Sequence, residues 1–120
     1  MSYHEDTIDW QLVHDLSQWF DNNVSDQYKN QPLAQGWARI AKIQEELGET
    51  IAEFISWTGQ NPRKPQDPNA YHRMMAELAD TVMTGIYAMN HFFAEMGGDT
   101  PRYILMQRMK HHAERIHLYG

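Results

Sequence analysis

The sequence predicts an all-α protein, a single bundle-like domain of four helices. Three observations lead there. Apolar residues recur at spacings of three and four in four separate segments. No stretch alternates with period two over the length of a strand. Proline, glycine and asparagine gather between the apolar segments, where a helix has to stop.

The first helix is expected over about residues 6 to 22, with Trp10, Val13, Leu16 and Phe20 at helical spacing. "DNNVSDQYKNQP" interrupts it, and Pro32 suits the first position of a second helix running to about Thr58. Ile40, Ile43, Leu47, Ile51 and Phe54 form the apolar stripe of that helix, which Gly59 ends. "GQNPRKPQDPN" then carries Pro62, Pro65 and Pro68, which forbid a continuing helix. A third helix follows from about Ala70 to Met96 and closes on "GGDTP". In the last, Thr100 is the cap, Pro101 the first residue, and the end falls near His117.

Composition narrows the class. At 120 residues the chain has room for one domain with a modest core. With 42% hydrophobic and 22% charged residues it reads as a soluble globular protein. No apolar run approaches the ~18 residues of a membrane span, and "MSYHEDTIDW" lacks the basic start and apolar stretch of a signal peptide, so a cytoplasmic location is expected. The absence of cysteine excludes disulfides and thiolate metal sites. A net charge of −6 argues against nucleic-acid and membrane partners, but not against an anion held through a metal.

The stretch "KIQEELGETIAEF" concentrates four glutamates. At 100° per residue Glu46, Glu49 and Glu53 fall within about 60° of one another, while Glu45 points roughly 100° from Glu46. Alone, such a stripe is what the wet side of an amphipathic helix usually looks like. The third helix changes that reading. Met74, Met75, Leu78, Val82, Met83, Ile86, Tyr87, Met89, Phe92 and Phe93 cover most of its circumference, leaving a narrow polar stripe of Arg73, Glu77, Asp80, Thr84 and His91. Carboxylates in that stripe are expected to face a protein interior, where they need pairing, protonation or a metal. Arg73, one turn before Glu77, can neutralise one charge at most. Two Glu-x-x-Glu/Asp pairs on neighbouring antiparallel helices place four hard oxygen donors around one point, which suits Mg²⁺ or Mn²⁺ rather than zinc or copper.

"EELGE" followed by "ELAD", with 27 residues between Glu49 and Glu77, resembles the MazG-like nucleoside triphosphate pyrophosphohydrolases of the all-α NTP pyrophosphatase superfamily. The resemblance is strongest from Ile40 to Thr84, within a motif-bearing core of about residues 38–96 of a single 1–120 domain, and "TGQNPRK" looks like the same segment of some small members. It implies that Glu46, Glu49, Glu77 and Asp80 are magnesium ligands and that Glu45, the extra glutamate, holds a second ion or orients the attacking water. It further implies hydrolysis between the α- and β-phosphates to nucleoside monophosphate and pyrophosphate, a house-cleaning role, and a homodimer or homotetramer with the site near the subunit contact.

Phosphates that the metal leaves uncompensated need basic partners. Arg63 and Lys64 lie in the loop between the two carboxylate helices, and "RMKHHAERI" loosely resembles the basic C-terminal segment that closes on nucleotide in that family. It supplies Arg108, His112 and Arg115, with Lys110 as a neighbour. Solvated surface charge is the alternative for each. Trp19, Trp37 and Trp57 can stack on a base, with core or subunit packing as the alternative, and the eight methionines read as flexible core filler. A di-metal carboxylate oxidase wants Glu-x-x-His pairs, and here the fourth residue of each pair is Glu49 or Asp80. The other alternative is a non-catalytic helical protein that binds metal, nucleotide or a partner and keeps the acidic cluster without turnover.

Overall fold

The computed structural model describes residues 7–119, and among them every regular element is helical. Helix α1 spans Trp10–Asn22, α2 Pro32–Thr58, α3 Ala70–Met96 and α4 Pro101–Arg115, with one 3-10 turn at Asp26–Tyr28. No helix is long and apolar enough to cross a membrane.

The helix ends follow local chemistry. Residue 6, where the first helix was expected to begin, lies outside the described residues; α1 instead starts at Trp10, because the Asp9 carboxylate accepts the Leu12 amide at 3.0 Å and fixes the start there. Thr100 caps α4 in the same way by accepting the Tyr103 amide, and Pro32 and Pro101 sit where a missing amide costs nothing. Gly59 ends α2 with φ 72°, a left-handed conformation that glycine takes without strain. Helix α4 stops at Arg115, short of His117, whose φ of 52° is incompatible with continuing.

Helices α2 and α3 form a long antiparallel hairpin, α1 packs on the C-terminal half of α3, and α4 touches α3 only sparingly. The seam between α2 and α3 is largely polar in its middle. Gly36 meets Phe92 at one end, where a Cβ would lie 2.5 Å from the ring. Thr50 and Thr81 bond at 3.2 Å at mid-seam, and each hydroxyl also lies within bonding distance of the carbonyl one turn earlier in its own helix, Glu46 and Glu77 respectively. At the loop end Arg73 binds Glu53 and Asp67, both at 2.6 Å. Arg73 is thus committed to these two carboxylates, Glu53 and Asp67, rather than to Glu77.

Which stripe of α2 faces inward is the larger correction. Glu46, Thr50 and Glu53 face α3, whereas Ile40, Leu47, Ile51 and Phe54 of the expected core stripe remain exposed. Met75, Leu78 and Val82 (56% exposed) do the same on α3, and Met106 and Met109 on α4, so these methionines are not core filler within one chain. The buried apolar core is only Val13, Ala70, Ile86 and Ala88 among the described residues. The accessible surface of 9062 Å² compares with about 6,700 Å² for a compact protein of 14.1 kDa. The radius of gyration, 17.7 Å, exceeds the roughly 13.6 Å of a compact 120-residue domain.

A buried polar cluster ties the three long segments together. Fully buried His91 of α3 places Nδ1 2.8 Å from Asp21 Oδ2 and Nε2 2.8 Å from the Pro32 carbonyl. Both partners offer an oxygen to the ring, which bridges α1 and the start of α2. Arg39 donates from Nε and Nη2 to Asp21 Oδ1, at 3.3 and 2.8 Å. One carboxylate on α1 thereby holds side chains from α2 and α3.

Candidate metal and nucleotide site

Antiparallel pairing brings the two acidic motifs to the same level of the hairpin. Glu46, Glu77 and Asp80 each offer a carboxylate oxygen within 4.8 Å of the other two. Glu46 and Glu77 are half-buried and Asp80 is exposed, which corrects the expectation that the stripe of α3 points into a closed interior. In the single chain the apolar flanks that would enclose it are themselves uncovered. Glu49, exposed on α2, stands outside this triad, and its charge acts on Glu77 from nearby.

Crowding shows in the electrostatics. The Glu77 carboxyl is pushed above its ordinary value of 4.5 by loss of water, by the hydrogen bond with Glu49, and by the charges of Glu49, Asp80 and Glu46. The folded state therefore binds this proton more tightly than the unfolded state, and the stability linked to it declines as pH rises from about 4.5. Melting curves of metal-free protein between about pH 4.5 and 7 are expected to show Glu77→Gln gaining on wild type as pH increases. A difference that stays flat across this range would overturn the assignment.

Lys42 is the cation nearest the cluster. Its Nζ lies 3.0 Å from Glu45 and 3.6 Å from Glu46, and these contacts, the Glu45 hydrogen bond first, raise its pKa. The spacing of three and four residues along α2 is the signal that sequence reading passed over. Glu45 is exposed and turned to Lys42 rather than into the carboxylate group.

Next to Glu46 and Asp80 opens a cavity of about 800 Å³. Phe20, Tyr28, Trp37 and Tyr87 give it aromatic walls, and Arg39 and Lys42 line it too. Burial and the nearby Asp80 charge raise the pKa of Tyr87. The cavity continues the acidic stripes along both helices: Arg39 and Lys42 precede Glu46 by two turns and one, and Thr84 and Tyr87 follow Asp80 by one turn and two. That periodicity was readable; the depth between the helices was not.

Trp37 lies in the cavity wall and is 72% exposed. Arg63 and Lys64 are exposed in the α2–α3 loop, and α2 ends nine residues, about 14 Å, beyond Glu49. Arg108, Lys110, His112 and Arg115 are exposed on α4, and among the described residues none forms an ion pair with the acidic cluster. The structure thus brings together Glu46, Glu77 and Asp80, with Trp37 in the wall of the adjoining cavity, leaves Glu49 outside the triad and keeps Glu45 at the margin.

Comparison of the chain with protein-family models, curated proteins and solved structures finds no match.

Proposed function

We propose that this protein is a metal-dependent pyrophosphohydrolase of MazG-like type, cleaving (deoxy)nucleoside triphosphates to nucleoside monophosphate and pyrophosphate. The observation that carries the reading is the convergence of carboxylates from both helices at the mouth of an aromatic-walled cavity.

The donor set fits Mg²⁺ or Mn²⁺. Ligand oxygens about 2.1 Å from a magnesium ion lie up to roughly 4.2 Å apart, so atoms already within 4.8 Å need little movement. Glu46, Glu77 and Asp80 would hold the ion, with Glu49 beside them. When bound, the metal supplies charge neutralisation for the triphosphate and a coordinated water of increased acidity. The chain's own residues do the rest. The cavity takes the nucleoside and excludes water around it. Lys42, next to Glu46, is placed to meet a phosphate oxygen and in doing so frees Glu45 to orient the attacking water. A net-acidic chain binds a polyanion in this way because cations stand between them.

The reading includes a homodimer or homotetramer. Its support is the exposed apolar stripe of α2, together with Val82 and its neighbours on α3, on a chain with few buried apolar residues.

Pyrophosphate release from a panel of canonical and modified NTPs and dNTPs, with Mg²⁺, Mn²⁺ or EDTA, tests the proposal. Release with either metal and none with EDTA is expected. If no nucleotide is cleaved while magnesium still raises the melting temperature, the carboxylates bind metal without this chemistry.

A further inference from the structure

The cavity has two electrically distinct ends, and the end away from the carboxylates is built around Arg39. Its guanidinium stands 4.8 Å from the centre of the Phe20 ring, and its side chain is 17% exposed. Nε and one N–H of Nη2 are spent on Asp21, while the remaining three N–H groups have no partner among the described residues. Asp21 cannot swing away, because its second oxygen is held by fully buried His91, which the Pro32 carbonyl holds in turn. Arg39 is therefore a fixed plate with one N–H of Nη1 and one of Nη2 side by side and unspent.

Such an end-on pair matches two adjacent hydrogen-bond acceptors on one edge of a flat ligand. Arg39 precedes Glu46 by seven positions, about 10 Å along α2, a distance on the order of that from a base to its α-phosphate. Guanine and hypoxanthine offer O6 and N7, and cytosine offers O2 and N3. In adenine, thymine and uracil a donor lies next to or between the acceptors.

Resting on the nucleotide reading of this cavity, we propose that Arg39 reads the base, and that the protein selects guanine, hypoxanthine and cytosine over adenine, thymine and uracil. Asp21 and His91 are positioning residues that hold the guanidinium plane.

Calorimetric titration with the deoxynucleoside monophosphates of guanine, hypoxanthine, cytosine, adenine and thymine, in the presence of Mg²⁺, tests this. The first three are expected to bind at least about tenfold tighter than the last two. Arg39→Lys, which keeps the charge and loses the fork, is expected to erase that difference without abolishing binding. Equal affinities in wild type, or a preference that survives in folded Arg39→Lys, overturn the inference. Should the variant not fold, hypoxanthine decides alone: it shares the O6/N7 edge of guanine without the amino group, so binding as weak as that of adenine overturns the proposal. Turnover of triphosphates without base discrimination defeats this inference and leaves the hydrolase reading standing. Absence of both nucleotide binding and pyrophosphate release defeats both.

Discussion

Asp80→Asn is expected to reduce pyrophosphate release about a hundredfold or more, and to abolish the stabilisation that Mg²⁺ gives the wild-type protein. The two readouts have one cause. Asp80 supplies one of three carboxylate oxygens that lie within 4.8 Å of each other, and an amide in its place is a weaker, uncharged donor. For the wild type, magnesium at a hundredfold excess over its Kd is worth about 2.7 kcal/mol. In a domain of this size that raises the melting temperature on the order of 10 °C. Without metal the order reverses: the substitution relieves repulsion around Glu77 and is expected to melt slightly higher than wild type. Thermal melting with Mg²⁺ and with EDTA separates the cases. A variant that keeps its magnesium response shows that the ion sits elsewhere.

Asp21→Ala is expected to lower stability by about 3–5 kcal/mol, a large part of what a small domain possesses. The carboxylate is nearly buried, pairs with the Arg39 guanidinium and bonds the fully buried His91 ring. Its loss leaves the Arg39 guanidinium without its counter-ion in a low-dielectric gap and His91 Nδ1 without its partner, with the ring still bound to the Pro32 carbonyl. Surface ion pairs such as Lys29–Asp26 do not behave this way, because water replaces the missing partner. Urea unfolding of Asp21→Ala beside Asp26→Ala measures the contrast. A loss at Asp21 no larger than at Asp26 would mean that the cluster is solvated in solution.

Much of this architecture was written in local chemistry. Thr100, the prolines at 32 and 101 and the glycines at 59 and 97 mark helix ends by means that need no tertiary context, whereas the cap at Asp9 was passed over. The approach of Glu46, Glu77 and Asp80 was legible for a related reason, since spacings of three and four on two helices leave the carboxylates little choice of direction, whereas Glu49 stands outside that triad. What stayed hidden depends on partners distant in sequence. Periodicity marks a stripe as apolar without saying what covers it, so Ile40, Leu47 and Ile51 read as core although Thr50 and Glu46 face α3. Arg73 sits one turn from Glu77, yet it reaches Asp67 in the loop and Glu53 across the seam. The Asp21–Arg39–His91 cluster joins residues separated by up to 70 positions, and no motif announces it.

The position of the carboxylates along their helices has a consequence of its own. Helices α2 and α3 are each 27 residues long, and Glu46, Glu49, Glu77 and Asp80 stand about two turns or more from every end. The partial charges of an aligned peptide array act only within its first and last turns. Neither backbone therefore offsets the negative charge at mid-rod, nor offers free amides to a phosphate as a helix start does. Whatever positive charge this level of the hairpin acquires has to come from side chains such as Lys42 or from the solution.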